Sequence, residues 1–398
     1  MVTQPNHLLV VDDNQVNRML LIHNLEQQGH CVMAAANGCE ALELLQTRQI
    51  DLVLLDIEMP EMNGYQVLST MKRDTQMRHI PVLMVTAVDE MESAIHCIEM
   101  GAEDYLPKPF NPVLLRARIS ASLDKKHLRD KEQLYLKSLE RELEIGREIQ
   151  AGFLPKRLPK APGWEIVASL KSAKEVAGDF YDAFYLASEQ KICLVIADVC
   201  DKGVGAALFM TLFRSLLRFT IGVTDTFGEH SPAARLKYAV TLTNSYIADT
   251  HGDTGMFATI FIGLLDPKTG SLTYINAGHE SPLIISINGS CTPLKKTGPV
   301  VGVFPDIEFG VAKTRLGLAE LFFAFTDGAP DALDLTGNSF SRERLISSLR
   351  YDVPAGILLA DINAKLEKHI GEAEQFDDIT FLIIRRAAEF SGKELQTK

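Results

Sequence analysis

Acidic residues recur in this chain where apolar stretches end. Asp198 lies in LVIADVCDKG, at the close of the run that begins at Leu194. Asp179 lies in AGDFYD, Asp327 in FAFTDG, and the pair Asp377 and Asp378 in FDDIT. A carboxylate at the end of a buried strand is costly unless something pairs with it. Taken alone, Asp198 would serve equally well as the cap of the helix that follows. Four such corners in one region, with few basic neighbours, point instead to hard divalent cations held by oxygen ligands. A second polar set, Asp12, Asp13, Asp56, Thr86 and Lys108, occupies the first third of the chain, again at the ends of apolar runs.

The elements that must position the second set are legible. Short apolar runs at His7–Val11, Cys31–Ala35, Leu52–Leu55, Val82–Thr86 and Asp104–Leu106 alternate with amphipathic helical patterns. Five βα units with short links predict a doubly wound α/β domain, a five-stranded parallel sheet covered on both faces. Ligands bind such sheets at the carboxyl ends of the strands, where these polar residues fall. From Asp124 to Gln150 the chain is dense in charges of both signs and free of proline, a helix composition. Leu136, Leu139, Leu143, Gly146, Gln150 and Phe153 recur at three- and four-residue spacing, which predicts either a short coiled-coil seam and a homodimer or a solvated spacer helix. Pro155, Pro159 and Pro162 break the helix. Strands are then expected at 165–169, 192–197, 256–265, 271–277, 283–287, 321–326 and 379–385, with helices at 204–221, 233–249 and 354–370. The expected division is 1–122, a helical linker at 123–155, a second domain at 156–390 and a tail at 391–398.

Composition narrows the function classes. The chain has 398 residues, 46% hydrophobic and 23% charged, with a net charge of -12. That balance argues against a nucleic-acid surface or an anionic membrane as partner. No apolar run approaches the ~18 residues of a membrane span. The opening MVTQPNHLLVVDDN lacks the basic stretch of a secretory leader. Six cysteines without a CxxC pair, most in apolar surroundings, read as reduced core residues, so a cytoplasmic location is expected.

The first 122 residues resemble a two-component receiver domain. The resemblance implies Asp56 as phosphoacceptor and Asp12 and Asp13 as the acidic pair holding Mg²⁺ together with Asp56 and the Glu58 carbonyl. It implies Thr86 and Lys108 as phosphoryl-binding groups, Tyr105 as the switch aromatic, and a cis peptide at Lys108–Pro109. The chemistry is coherent, since three clustered carboxylates repel one another and need a dication, which also polarises a phosphoryl donor. A sensor histidine kinase or phosphotransfer protein is the implied donor.

The order EVAGDFYD, ADVCDKGVGAAL, MFATIF, NAGHESP, FAFTDG, FDDIT resembles the metal-dependent serine/threonine phosphatases, in their bacterial sporulation and stress-response branch (protein phosphatase 2C-like), over about Trp164 to Arg386. The resemblance implies an α+β domain with a central β-sandwich flanked by helices. It implies two Mn²⁺ or Mg²⁺ held by Asp179, Asp198, the Val199 carbonyl, Asp327 and Asp377, the same carboxylates being the catalytic set. Asp182 and Asp378 have weaker claims, and Asp378 is expected to hydrogen-bond its turn. His279 would be a structural hydrogen-bonder or a proton donor, and Lys174 a phosphate contact. The chain departs from the family pattern at Ala177, at Cys200–Asp201, where Ser-Gly is commoner, and at Pro330–Asp331. The implied function is a response regulator in a phosphorelay whose output dephosphorylates phosphoserine or phosphothreonine, with an anti-sigma-factor antagonist as implied substrate and the opposing kinase on a separate chain. The rival expectation is a partner-switching adaptor that sequesters a regulatory protein without catalysis; loss of metal ligands would be its mark.

Overall fold

The computed structural model describes residues 5–87, 91–186, 190–223 and 231–387; the expected tail at 391–398 lies outside them. The chain falls into two compact units, Met1–Glu140 and Arg141–Lys398.

The first unit is the expected parallel sheet. Strands β1 (His7–Val11), β2 (Cys31–Ala35), β3 (Leu52–Asp56), β4 (Val82–Ala87) and β5 (Asp104–Lys108) alternate with helices α1 (Gln15–Gln27), α2 (Gly38–Thr47), α3 (Gly64–Arg73), α4 (Met91–Glu99) and α5 (Pro112–Phe153). The sheet order is β2-β1-β3-β4-β5. Both faces of the sheet are buried, so β3 reads as a continuous apolar run with every residue covered. Leu9, Val53 and Leu55 pack in one core, and Leu8, Leu52 and Leu54 in the opposite one. Side chains alternate across a pleated strand, so each strand feeds both cores. Helix starts are fixed locally: Asn14 caps α1, and Asn63 with Gln66 forms a capping box on α3. The last helix does not stop at the receiver boundary but runs for 42 residues through the charged stretch.

The second unit begins within that helix. Its strands are β6 (Trp164–Lys171), β7 (Phe180–Leu186), β8 (Lys191–Val199), β9 (Ala258–Leu265), β10 (Ser271–Ala277), β11 (Leu283–Ile285), β12 (Cys291–Pro293), β13 (Ala312–Arg315), β14 (Leu321–Phe325) and β15 (Ile379–Arg386). Its helices are α6 (Val204–Val223), α7 (Pro232–His251), α8 (Arg342–Ser347) and α9 (Ala355–Ile370). The strands form two sheets, β13-β10-β9-β8-β7 and β12-β11-β14-β15-β6. Ile192, Leu194 and Ile196 of β8 face the second sheet, meeting Phe322, Ala324 and Leu382. Cys193, Val195 and Ala197 face α6 and α7 on the other side. The second sheet is covered in turn by α8 and α9, through Leu345, Leu358 and Ile362. The result is a β-sandwich with helices outside both sheets, the α+β architecture expected.

Three expectations are corrected. Helix α6 is, by length and composition, apolar enough to cross a membrane, with a mean hydropathy of 1.5. Arg214 and Arg218 interrupt its run without lowering the average far, and its face from Ala206 through Met210, Phe213 and Leu217 to Ile221 is buried on the first sheet. The seam also differs. Leu136 and Leu139 are exposed, as a partner helix would require, but Gln150 is buried within its own unit. Its amide is spent on Ala177, donating to that carbonyl at 2.6 Å and accepting from that N–H at 2.9 Å. Of the cysteines expected in the core, Cys31, Cys39 and Cys291 are exposed.

Strand β7 is absent from the expected set, because FYDAFYL carries a charge near its centre. Asp182 is nevertheless buried: Arg214 reaches it at 2.9 Å, and Arg218 at 2.7 Å while stacking on Phe184. This ion triad excludes Asp182 from any metal set. Asp182→Ala should cost about 3 kcal/mol, the lower end for breaking a buried pair because Arg218 is partly exposed, with metal binding retained. Urea unfolding checks the first part and calorimetric titration with Mn²⁺ the second; a loss below about 1 kcal/mol would show that the arginines do not depend on this carboxylate.

Candidate active site

The acidic corners of the second unit converge at one end of the sandwich, where strands of both sheets meet. Asp179 immediately precedes β7, and Asp198 lies within β8, one residue before its end and in register with Thr259. Asp327 follows β14 by two residues, and Asp377 and Asp378 precede β15. Asp179 ties the sheets together: its carboxylate accepts from the Thr326 hydroxyl at 2.7 Å and from the Thr380 hydroxyl at 2.6 Å. Asp378 is saturated by backbone, accepting from the N–H groups of Ala173 and Gly178, each at 2.7 Å, and of Asp179 at 3.4 Å. It braces the loop before β7, as expected for a turn residue.

Two glycines make this convergence possible. A side chain on Gly328, after Asp327, would come within 2.0 Å of the Asp378 carbonyl. A side chain on Gly178 would come within 3.0 Å of the Val199 carbonyl and 3.1 Å of Ala206. The Val199 carbonyl therefore faces the Asp179 loop, and the polar ends of β8 and β7 lie backbone to backbone.

The electrostatics are those of crowded anions. Burial comes first in raising the Asp198 carboxyl to about 7, followed by the charges of Asp327, Asp377 and Asp378. Asp179, wholly buried, is pushed well above the usual range by burial and then by the charge of Asp198. Asp327 is open to solvent on one side but otherwise enclosed by protein; burial and then Asp377, Asp331 and Glu280 raise it. The donor set is all oxygen and all anionic, which suits Mg²⁺ or Mn²⁺. These carboxylates are in electrostatic contact without being packed tightly together. Among the described residues, the acidic trio whose oxygens lie within 4.8 Å of one another is Asp12, Asp13 and Asp56 of the first unit.

Asp13 and Asp56 of that trio line a cleft of about 820 Å³ at the carboxyl end of the parallel sheet, with Glu58, Thr86 and Lys108. Lys108 bridges Asp12 at 3.0 Å and Asp56 at 2.8 Å. Burial raises the Asp56 carboxyl despite that ammonium; burial lowers the Lys108 amine, but the two carboxylates more than reverse it. The Lys108–Pro109 peptide is cis. Tyr105 does not line the cleft; its ring lies 4.7 Å from the guanidinium of Arg118 on α5.

His279 is fully buried and bonded through Nδ1 to the Thr259 hydroxyl at 2.8 Å. Its Nε2 turns toward the Phe325 backbone without a well-formed bond. Burial, then Lys296, hold its imidazole down to about 3. Lys174 is exposed in the loop before β7. Sequence reasoning missed Lys202, whose ammonium pairs with Asp377 at 2.9 Å; its place in CDKG, beside an acidic corner, was the available signal.

Comparison with known proteins gives each unit relatives. The sequence profile of the family described as Stage II sporulation protein E (SpoIIE) matches residues 188–387, a segment that begins after Asp179. The profile of the response regulator receiver domain matches residues 8–120. Protein IcfG of Synechocystis sp. is 43% identical over 263 residues, 62% of this chain and 41% of that protein. The transcriptional regulatory protein CpxR of Escherichia coli is 42% identical over 128 residues, 32% of this chain and 53% of that protein. The chain thus spans about half the length of the curated relatives it matches. The SiaA-PP2C domain of Pseudomonas aeruginosa shares the fold, with a TM-score of 0.53 at 24% identity, over 63% of this chain and 98% of that one.

The buried imidazole makes stability depend on pH. His279 has an ordinary value of 6.5 when unfolded and about 3 when folded. Between these values the unfolded chain binds the extra proton, so this contribution is complete above pH 6.5 and is lost as pH falls toward 3. His279→Asn, which keeps an acceptor or donor for Thr259, should remove a slope of up to about 1.4 kcal/mol per pH unit. Urea unfolding of both proteins at pH 7 and pH 5 measures it; parallel losses would mean that His279 protonates freely in the folded state.

Proposed function

We propose that this chain, which belongs to the stage II sporulation protein E family and carries a response regulator receiver domain ahead of that family's segment, is a phosphoserine/phosphothreonine protein phosphatase switched on by phosphorylation of Asp56. The observation that carries the catalytic half is the convergence of Asp179, Asp198, Asp327 and Asp377 from four strand ends onto one anionic, oxygen-only site. Asp198 would be shared by both ions with the Val199 carbonyl assisting, Asp327 and Asp377 would hold the second, and Asp179 the first, directly or through water. When bound, such ions supply Lewis acidity toward phosphoryl oxygens and lower the pKa of water. The chain's own groups do the rest. Thr326 and Thr380 fix the orientation of Asp179, and backbone N–H groups fix Asp378, so the carboxylates are preorganised. The substrate class favoured by the family resemblance is a small phosphorylated anti-sigma-factor antagonist, in the cytoplasm.

In the receiver, Asp56 would be the nucleophile, with Asp12, Asp13 and the Glu58 carbonyl holding Mg²⁺ and Lys108 and Thr86 receiving the phosphoryl oxygens; a histidine kinase or phosphotransfer protein would supply the phosphoryl group. The coupling reading rests on α5. At one end of this helix Arg118 covers Tyr105, the implied switch aromatic. Near the other end Gln150 grips Ala177, two residues before Asp179. Exposed Leu136 and Leu139 on the same helix favour a homodimer.

Asp198→Asn or Asp327→Asn should cut phosphatase turnover by more than the roughly 10–100-fold that losing a group supporting a metal ligand costs, with the fold retained. Manganese-dependent hydrolysis of a generic phosphomonoester measures this, and wild-type turnover in either variant would remove the metal assignment. Separately, acetyl phosphate with Mg²⁺ should label the wild type once and Asp56→Ala not at all. Labelling should raise turnover about 5- to 100-fold, the usual span of allosteric coupling, and Gln150→Leu should bring that ratio near one. Equal rates for labelled and unlabelled wild type would reduce the receiver to a tethered neighbour.

A further inference from the structure

We propose that Lys202 is a built-in counter-cation of the carboxylate cluster, competing with a divalent ion for Asp377. The inference rests on the metal reading above and adds a resident competitor to it. The turn after β8 directs this residue. Asp201 takes a left-handed conformation at φ 68 and Gly203 follows at φ 85, a geometry that aspartate tolerates better than most side chains. The Asp201 carboxylate accepts from the Lys202 N–H at 2.8 Å, which closes the turn on itself. The ammonium crosses to the loop before β15. There it meets the Asp377 carboxylate at 2.9 Å, donates to the Phe376 carbonyl, and lies 3.6 Å from the centre of the Phe376 ring. One carboxylate, one carbonyl and one aromatic face, all from two consecutive residues, form a cradle shaped to a monovalent cation.

The surroundings make this more than a surface ion pair. Asp377 lies in the same anionic corner as Asp198 and Asp327, beside the buried Asp378. With the ammonium in place the cluster carries one fewer uncompensated charge and can stay assembled without a metal. A divalent ion compensates the same anions better, but it competes with the ammonium for Asp377 Oδ2. Lys202 thus lowers affinity for the second ion while holding the metal-free cluster together. The exposed Phe376 ring, 65% accessible, gives the displaced stem an apolar surface at the rim.

The test is Mn²⁺ binding by full-length protein, titrated by calorimetry and by the electron paramagnetic resonance signal of free Mn²⁺. All samples carry Asp13→Ala, so that the receiver ion does not enter. Lys202→Gln should bind the weaker ion about fivefold more tightly, with unchanged stoichiometry, and should melt lower than its parent in EDTA but not in Mn²⁺. Lys202→Arg, which keeps the charge, should bind as the parent does. Weaker or equal binding by Lys202→Gln would overturn the inference and make Lys202 a simple clasp between loops. If the parent binds no Mn²⁺ in this unit, or Asp198→Asn binds it equally well, the metal reading itself fails.

Discussion

The second unit is organised around a repulsion. Asp179, Asp198, Asp327, Asp377 and Asp378 converge from a buried floor at Asp179 and Asp378 to an open rim at Asp327, and each raises the free energy of its neighbours' charge. Such a cluster persists only if the protein supplies compensation, since an unpaired buried charge shifts its pKa or unfolds the site. The compensations are visible one by one. Two threonine hydroxyls serve Asp179, three backbone N–H groups serve Asp378, an ammonium serves Asp377, and a raised pKa serves Asp198. Asp198 and Asp327 keep raised carboxyls even so, and are the groups that a cation would relieve most.

The receiver solves the same problem with fewer parts. Its three carboxylates are already within ligand distance, and one lysine spans two of them. Lys108 and Lys202 differ in how firmly they are held. Lys108 sits between two carboxylates and is bound by both. Lys202 holds one carboxylate from the rim, leaning on a carbonyl and a ring. A cation tied to a single ligand gives way to a stronger cation more readily than one tied to two.

Much of this is legible in the chain. Strands buried on both faces announce themselves as apolar runs, so the ends of β3 and β8 can be placed to within a residue or two. The acidic corners are legible for the same reason, because charge directly after such a run stands out. What is not legible depends on partners distant in sequence. Strand β7 is hidden because Asp182 looks exposed until Arg214 and Arg218 are brought to it. Strands β12 and β13 are short and largely exposed, with no periodic pattern to read. Gln150 looks like a weak seam position, since nothing local says that its amide is spent on Ala177. Nor does anything local say that His279 is buried.

The contact between Gln150 and Ala177 has a mechanical consequence that follows from packing. The loop it grips is closely packed. Gly178 passes so close to the Val199 carbonyl and Ala206 that a single added carbon would be in tight contact with both. Immediately beyond, Asp179 is fixed by two hydroxyls from the opposite sheet. A displacement of Gln150 acts on backbone that is packed closely on one side and held at Asp179 on the other. Close-packed interiors respond to small pushes by switching between discrete arrangements and not by bending. Neutral hydrogen bonds of this kind are individually worth only about 1 kcal/mol net, so the two together hold the loop firmly enough to transmit a shift and weakly enough to be released by one. Through these two hydrogen bonds α5 touches the backbone two residues before Asp179 without contacting that carboxylate itself.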